Sequence, residues 1–143
     1  MDIQILNEFA KVPTYGSEDA AGADLYAATI YDICIPPGET VKIDTGIALA
    51  IPKGYFGAIF ARSGLATKQG LRPANCVGVV DADYRGPIIV ALHNDSDEIQ
   101  WVPAKSRIAQ IAFIPVTQFT FDVVDSLNET ERGAGGFGST GVK

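Results

Sequence analysis

At 143 residues and 15.1 kDa the chain has the size of one domain, able to bury about 68–70% of its unfolded surface around a single core. Hydrophobic residues make up 47% and charged residues 20%, the balance of an ordinary soluble globular protein. The net charge of −6 argues against duplex or non-specific nucleic-acid binding, which needs lysine and arginine to neutralise phosphates, but leaves room for a small anion held by a few arginines and backbone N–H groups.

Met1 to Ala10 is too short and too charged for a signal peptide, and no apolar run approaches the roughly 20 residues of a membrane span. The two cysteines, Cys34 and Cys76, are expected as free, buried thiols in a reducing compartment, which makes the chain cytoplasmic.

Ile3 and Ile5 alternate with Asp2 and Gln4 as a short amphipathic strand. Lys11 to Asp19, with Pro13 and Gly16, reads as a loop. Small residues surround Gly22 and permit close approach, and Asp24 sits among apolar neighbours in Ala20 to Ala28. Ile30 to Ile35 reads as a strand stopped by Pro36-Pro37-Gly38. Thr40 to Ile51 alternates, with Gly46 as a bend, and Pro52-Lys53-Gly54 turns the chain into a strand from Tyr55 to Ala61. Turns recur about every ten residues without helical periodicity, which predicts an all-β sandwich or barrel.

The pattern changes at Ala61-Arg62-Ser63-Gly64-Leu65-Ala66-Thr67-Lys68-Gln69-Gly70. Good helix formers lie between 63 and 69, Ser63 is a candidate N-cap and Gly70 a C-terminal stop. This one short helix is either an ordinary capped surface helix or an anion site, with its N-terminus and the Arg62 guanidinium facing a phosphate.

Leu71 to Ala74 reads as a loop leading into Asn75-Cys76-Val77-Gly78-Val79-Val80-Asp81-Ala82-Asp83-Tyr84-Arg85-Gly86. Its valines predict a buried strand, broken by Asp81 and closed by turn residues before a return strand from Ile88 to Leu92. Alternation puts Asn75 and Asp81 on one face and Tyr84 on the other, so all three serve one site only if the chain turns there. The hairpin is either a solvated tip or a site presenting an amide, a carboxylate and a phenol.

His93 to Asp97 is a polar turn, and His93, without a partner histidine or cysteine, reads as structural or solvent-facing. Ile99 and Trp101 make a short strand, Ser106 to Ile114 a well-buried one, and Phe119 to Val124 a last one. Within the well-buried strand, Arg107 reads as a plain surface ion pair and Gln110 as a satisfied core amide. Arg132 to Lys143 holds five glycines between 133 and 141, one phenylalanine and a Ser139-Thr140 pair, a composition open enough to wrap an anion and lay a ring on a base. Gly133 to Gly138 has P-loop spacing, yet Ser139 stands at the lysine position and no room is left for the following helix.

Five of these segments, in order, resemble the five motifs of the dUTPases: Ala21-Gly22-Ala23-Asp24-Leu25, Arg62-Ser63-Gly64-Leu65-Ala66, Gly78 to Gly86, Arg107-Ile108-Ala109-Gln110 and the glycine-rich tail. One departure is Ala61, where the family pattern often has proline. The resemblance implies a jelly-roll-like β-barrel over residues 1–125, a C-terminal arm over 126–143 that closes on the active site, and a homotrimer with shared sites. It implies hydrolysis of dUTP to dUMP and pyrophosphate with Mg2+. Asp81 would be the general base. Asn75, Gly78 and Val80 would read the uracil, and Tyr84 would pack under the deoxyribose. Arg62, Ser63, Gly64 and Gln110 would hold phosphates from a neighbouring subunit. Arg132, Gly138, Ser139 and Thr140 would close on the γ-phosphate with Phe137 on the uracil. Magnesium would ride on the triphosphate and water, with Asp24 in its outer shell at most. The related dCTP deaminases share the fold but would need a glutamate near the hairpin. A dUTP-responsive regulatory protein would keep the nucleotide site and use it as a switch, and a non-enzymatic β-sandwich module would leave the five motifs to coincidence. The source, cellular or viral, is not encoded in these motifs.

Overall fold

The computed structural model describes residues 1–75 and 77–136. Twelve strands and one helix follow in the order β1 Asp2–Ile5, β2 Thr14–Tyr15, β3 Ala23–Tyr26, β4 Ile33–Ile35, β5 Thr40–Asp44, β6 Ile47–Ala50, β7 Tyr55–Phe60, α1 Ser63–Gln69, β8 Leu71–Pro73, β9 Gly78–Val80, β10 Ile89–Asn94, β11 Gln100–Val102 and β12 Arg107–Pro115. The strands form a five-stranded sheet ordered β2-β3-β12-β7-β9, a three-stranded sheet β5-β10-β8, and the pairs β1-β6 and β4-β11. The all-β, jelly-roll-like expectation with one short helix holds, but these sheets do not close into a barrel.

β12 is the axis of the large sheet because its run of apolar residues is long enough to be covered on both sides. Ile108, Ala109 and Ile111 are buried, and β12 pairs antiparallel with β3 and β7. Between the sheets lie Leu25, Ile35, Ile43, Ile47, Leu92 and Ile111, each 2% exposed or less. Gly46, at φ 67°, makes the bend between β5 and β6 that only a residue without Cβ takes cheaply.

Several elements differ from expectation. The loop from Lys11 to Asp19 contains β2, which extends the large sheet beside β3. Ile30 and Tyr31 are exposed and only Ile33–Ile35 is strand. Leu71–Pro73 is not a loop but β8, because β10 is long enough to pair with it as well as with β5. The 93–97 turn is not all surface. Asn94 is fully buried, and its amide donates to the carbonyls of Ile35 (2.9 Å) and Glu98 (2.7 Å). Cys34 is a free, half-buried thiol, not a buried one, and Cys76 lies outside the described residues.

The expected strand from Phe119 to Val124 does not form. Phe119, Phe121 and Val123 are 75%, 92% and 102% exposed. Val116 N–H still donates to Gly54 O at 2.9 Å, but among the described residues nothing lies beside 117–124 to complete a ladder, and alternation alone does not make a strand.

Helix α1 has its expected span, but Arg62, not Ser63, is the N-cap. The Arg62 carbonyl accepts from Ala66 N–H at 3.0 Å and its backbone is extended, so Ser63 is already the first helical residue. Gly70, left-handed at φ 67°, ends the helix.

Candidate functional site

The register of the large sheet sets one group of side chains in a row. Gln110 of β12 faces Asp24 of β3 on one side and Phe60 of β7 on the other. Arg62 follows Phe60 by two residues and so arrives beside the row. Its Nε donates to Asp24 Oδ1 at 2.8 Å, and Arg107 donates to Asp24 Oδ2 at 3.1 Å. A carboxylate only 13% exposed needs such pairing, and here two guanidinium groups supply it. Gln110 Nε2 donates to Ala61 O at 2.9 Å, and a Cβ at Gly22 would lie 2.7 Å from Gln110 Oε1. Gly22 therefore gives space to a side chain rather than to backbone.

This cluster borders a cleft of about 320 Å³ lined by Tyr26, Arg62, Leu65, Trp101, Lys105 and Arg107, among others. Lys105 adopts a left-handed φ of 58° at its rim. Tyr26 shares a 2.6 Å hydrogen bond with Thr14, and Lys11 Nζ lies 4.1 Å from its ring centroid. The Thr14 bond, aided by Lys11, holds the Tyr26 phenol below its usual pKa although burial pushes the other way. Ser63 and Gly64 are exposed at the start of α1.

A second cleft, of about 220 Å³, is lined by Asn75, Gly78, Val79, Val80, Asp81 and Tyr84 with neighbours from β7 and β10. No residue lines both clefts. β9 is the last strand on its side of the large sheet, with Gly78 and Val80 buried and Val79 63% exposed. The expected run of buried valines is thus a half-open edge strand. Gly78 lets Asn75 come close: a Cβ there would lie 3.3 Å from Asn75 Nδ2.

β9 and β10 do not form the expected hairpin. β9 pairs with β7 and β10 with β5 and β8, so the loop from Asp81 to Ile88 carries the chain from one sheet to another. The crossing turn is internally tied: Tyr84 N–H donates to Asp81 O (3.2 Å) and Tyr84 Oη to Pro87 O (3.1 Å). This turn brings Tyr84 to the Asp81 cleft despite opposite strand parity.

Arg132 donates to Gly135 O at 3.0 Å within its own segment and lines neither cleft. Phe137, Gly138, Ser139 and Thr140 lie outside the described residues. Arg107, read as a surface ion pair, does pair, and its partner is Asp24. The small residues around Gly22 signalled a close approach, but not that a side chain, Gln110, would take the space.

Among the described residues no group of three or more His, Cys, Asp or Glu could hold a metal ion, and the Asp24 carboxylate faces two guanidinium groups. No described helix is long and apolar enough to cross a membrane.

The dUTPase family model matches residues 8–141. A deoxyuridine 5'-triphosphate nucleotidohydrolase of Desulfitobacterium hafniense (strain DSM 10664 / DCB-2) is 52% identical over 133 residues, 92% of this chain and 88% of that one. One from Actinobacillus pleuropneumoniae serotype 3 (strain JL03) is 45% identical over 142 residues, 99% of this chain and 93% of that one. The structure of the Staphylococcus bacteriophage 80alpha dUTPase with dUPNHPP aligns with a TM-score of 0.90 at 27% identity, covering 99% of this chain and 98% of that one.

Proposed function

The chain belongs to the dUTPase family, and on that premise we propose that it hydrolyses dUTP to dUMP and pyrophosphate, with Asp81 as general base. The observation that carries the residue assignment is the cleft in which Asn75, Asp81 and Tyr84 meet at the edge of the large sheet. The Asn75 amide reads the uracil edge, helped by backbone groups of β9, which as an edge strand has one side unpaired. Gly78 and Val80 complete that wall. Tyr84 packs under the deoxyribose and excludes a 2′-hydroxyl.

Asp81 takes a proton from water as the water oxygen attacks the α-phosphorus. The bond from that phosphorus to the bridging oxygen breaks, and pyrophosphate leaves. General-base assistance of this kind contributes about 10²–10⁴-fold; positioning and charge neutralisation supply most of the remainder. Arg62 and Gln110, with Ser63 and Gly64 at the start of α1, hold the phosphates. Asp24 belongs to the same polar shell through its two arginines. Magnesium is a hard ion that keeps water and phosphate oxygens, and it would come on the triphosphate to offset its charge. The side chains around Asp24 offer it no cage, so the chain's own contribution is the guanidinium pair.

The cleft of Asn75, Asp81 and Tyr84 is lined by none of Arg62, Ser63, Gly64 and Gln110, so within one chain the base-reading groups stand without the phosphate-holding ones. This supports a homotrimer whose sites are built between copies, with Arg62, Ser63 and Gln110 reaching the Asp81 cleft of a neighbour. Exposed Phe119, Phe121, Val123 and Leu127 support the same association, since a free chain does not keep so much apolar surface in water. Residues 126–143 act as the arm, with Arg132, Gly138, Ser139 and Thr140 on the γ-phosphate and Phe137 on the uracil. The nucleotide pool it serves is that of the cytoplasm, the host's if the chain is viral.

The direct test is pyrophosphate release from dUTP, dCTP, dTTP and UTP with magnesium present. Release from dUTP alone is expected. Ammonia from dCTP would instead place the protein with the deaminases, and binding of dUTP without release would make it a regulatory receptor.

A further inference from the structure

Gly86 stands at the end of the crossing turn, and its backbone does not require glycine: its φ lies outside the left-handed region occupied by Gly38, Gly46, Gly54, Gly70 and Gly133. The space a Cβ would fill at residue 86 is taken by the Tyr84 ring. A methyl group there would lie 2.6 Å from Tyr84 Cζ and 3.0 Å from Cε2, and would collide with the hydroxyl. The ring is drawn down onto residue 86 by the donation of its hydroxyl to Pro87 O at 3.1 Å. Arg85 donates to the carbonyls of Ala82 (2.7 Å) and Tyr84 (2.9 Å), which ties the turn just before residue 86. The ring, 44% exposed, meets the Cβ with the far end of a side chain and is the partner that gives way.

We propose that Gly86 is a positioning residue for sugar selection: by lacking a side chain it lets the Tyr84 ring lie over residue 86, where the ring closes the cleft against a 2′-hydroxyl. The inference rests on the reading of Tyr84 as the residue under the deoxyribose. A Cβ at residue 86 has to displace the end of the ring, and that displacement opens the wall.

The test compares kcat/KM for dUTP and UTP in the full-length parent, Gly86→Ala, Tyr84→Ala and the double variant. Pocket contacts discriminate close analogues by about 10–200-fold, so displacing the ring in Gly86→Ala is expected to lower the dUTP-to-UTP ratio about tenfold, with a melting temperature near the parent's. In the Tyr84→Ala background, where no ring remains to collide, adding Gly86→Ala is expected to change nothing. A parental ratio in Gly86→Ala overturns the proposal, as does a further fall in the double variant. Side-chain NMR of Tyr84 separates the two layers. Shifted ring resonances in Gly86→Ala, together with a parental ratio in Tyr84→Ala, would place the failure in the sugar reading of Tyr84 and remove the selectivity role with it.

Discussion

Asp81 and Asn94 show how differently two polar residues at strand ends behave. Asp81 follows β9, lies exposed in a cleft, and holds its turn through its backbone carbonyl rather than its carboxylate. Its side chain is therefore available for chemistry, and Asp81→Asn is expected to reduce turnover by about 10²–10⁴-fold while dUTP binding, measured by calorimetry, stays close to the parent. Unchanged turnover would remove Asp81 from the reaction. Asn94 does the opposite. It is itself at zero exposure, its amide donates to two carbonyls, and its Oδ1 accepts from Ser96 N–H (2.9 Å) and Ser96 Oγ (2.7 Å). Asn94→Ala strands the buried Ile35 carbonyl and removes three part-buried hydrogen bonds, and is expected to cost about 3 kcal/mol, read from the urea midpoint, without altering sugar selectivity. Asp81 was legible as a residue out of place among valines. Asn94 was not, since asparagine in a polar turn looks like any surface residue until the tertiary contacts close over it.

At the scale of elements, local chemistry placed α1 and most strands, because Gly70, Pro36-Pro37-Gly38 and Pro52-Lys53-Gly54 stop the chain wherever they occur. Pairing was less legible. The sequence between Val80 and Ile88 looks like a hairpin tip, yet its flanking strands join different sheets, because β9 finds β7 and β10 finds β5 and β8. Within the 117–136 segment Phe119 to Val124 carries strand-like alternation, yet no strand forms there. Its side chains are exposed almost throughout and add little to the core. Deleting residues 132–143 is thus expected to leave the melting temperature within a few degrees of the parent while, if the segment acts as the proposed arm and positions the phosphates, lowering kcat/KM for dUTP by at least about 100-fold. A truncated chain that no longer folds would show instead that the tail is part of the core.

For the whole molecule the consequence of two separate clefts is testable by subunit mixing. Asp81→Asn and Arg62→Ala are each expected to be nearly inactive. Co-refolded in equal amounts, they are expected to regain about one quarter of parental activity if each site takes Asp81 from one copy and Arg62 from another, because half the sites hold each intact residue independently. If both residues serve from the same chain, mixing restores nothing, and the shared-site reading fails.

By itself the sequence determined what is local or compositional: an acidic chain, the β class with one short helix, and five segments, in order, whose resemblance named the family and its reaction. Those features depend on residue type, short spacing and turn chemistry, which survive in one dimension. Tertiary structure alone decided which residues stand together. The register of β12 put Gln110 between Asp24 and Phe60 and so delivered Arg62 and Arg107 to one carboxylate. The crossing turn brought Tyr84 to Asp81, and an absent Cβ at Gly86 gave the ring its place. Such meetings between residues distant in sequence arise from sheet pairing and from the exclusion of one atom by another, and both are properties of the packed chain.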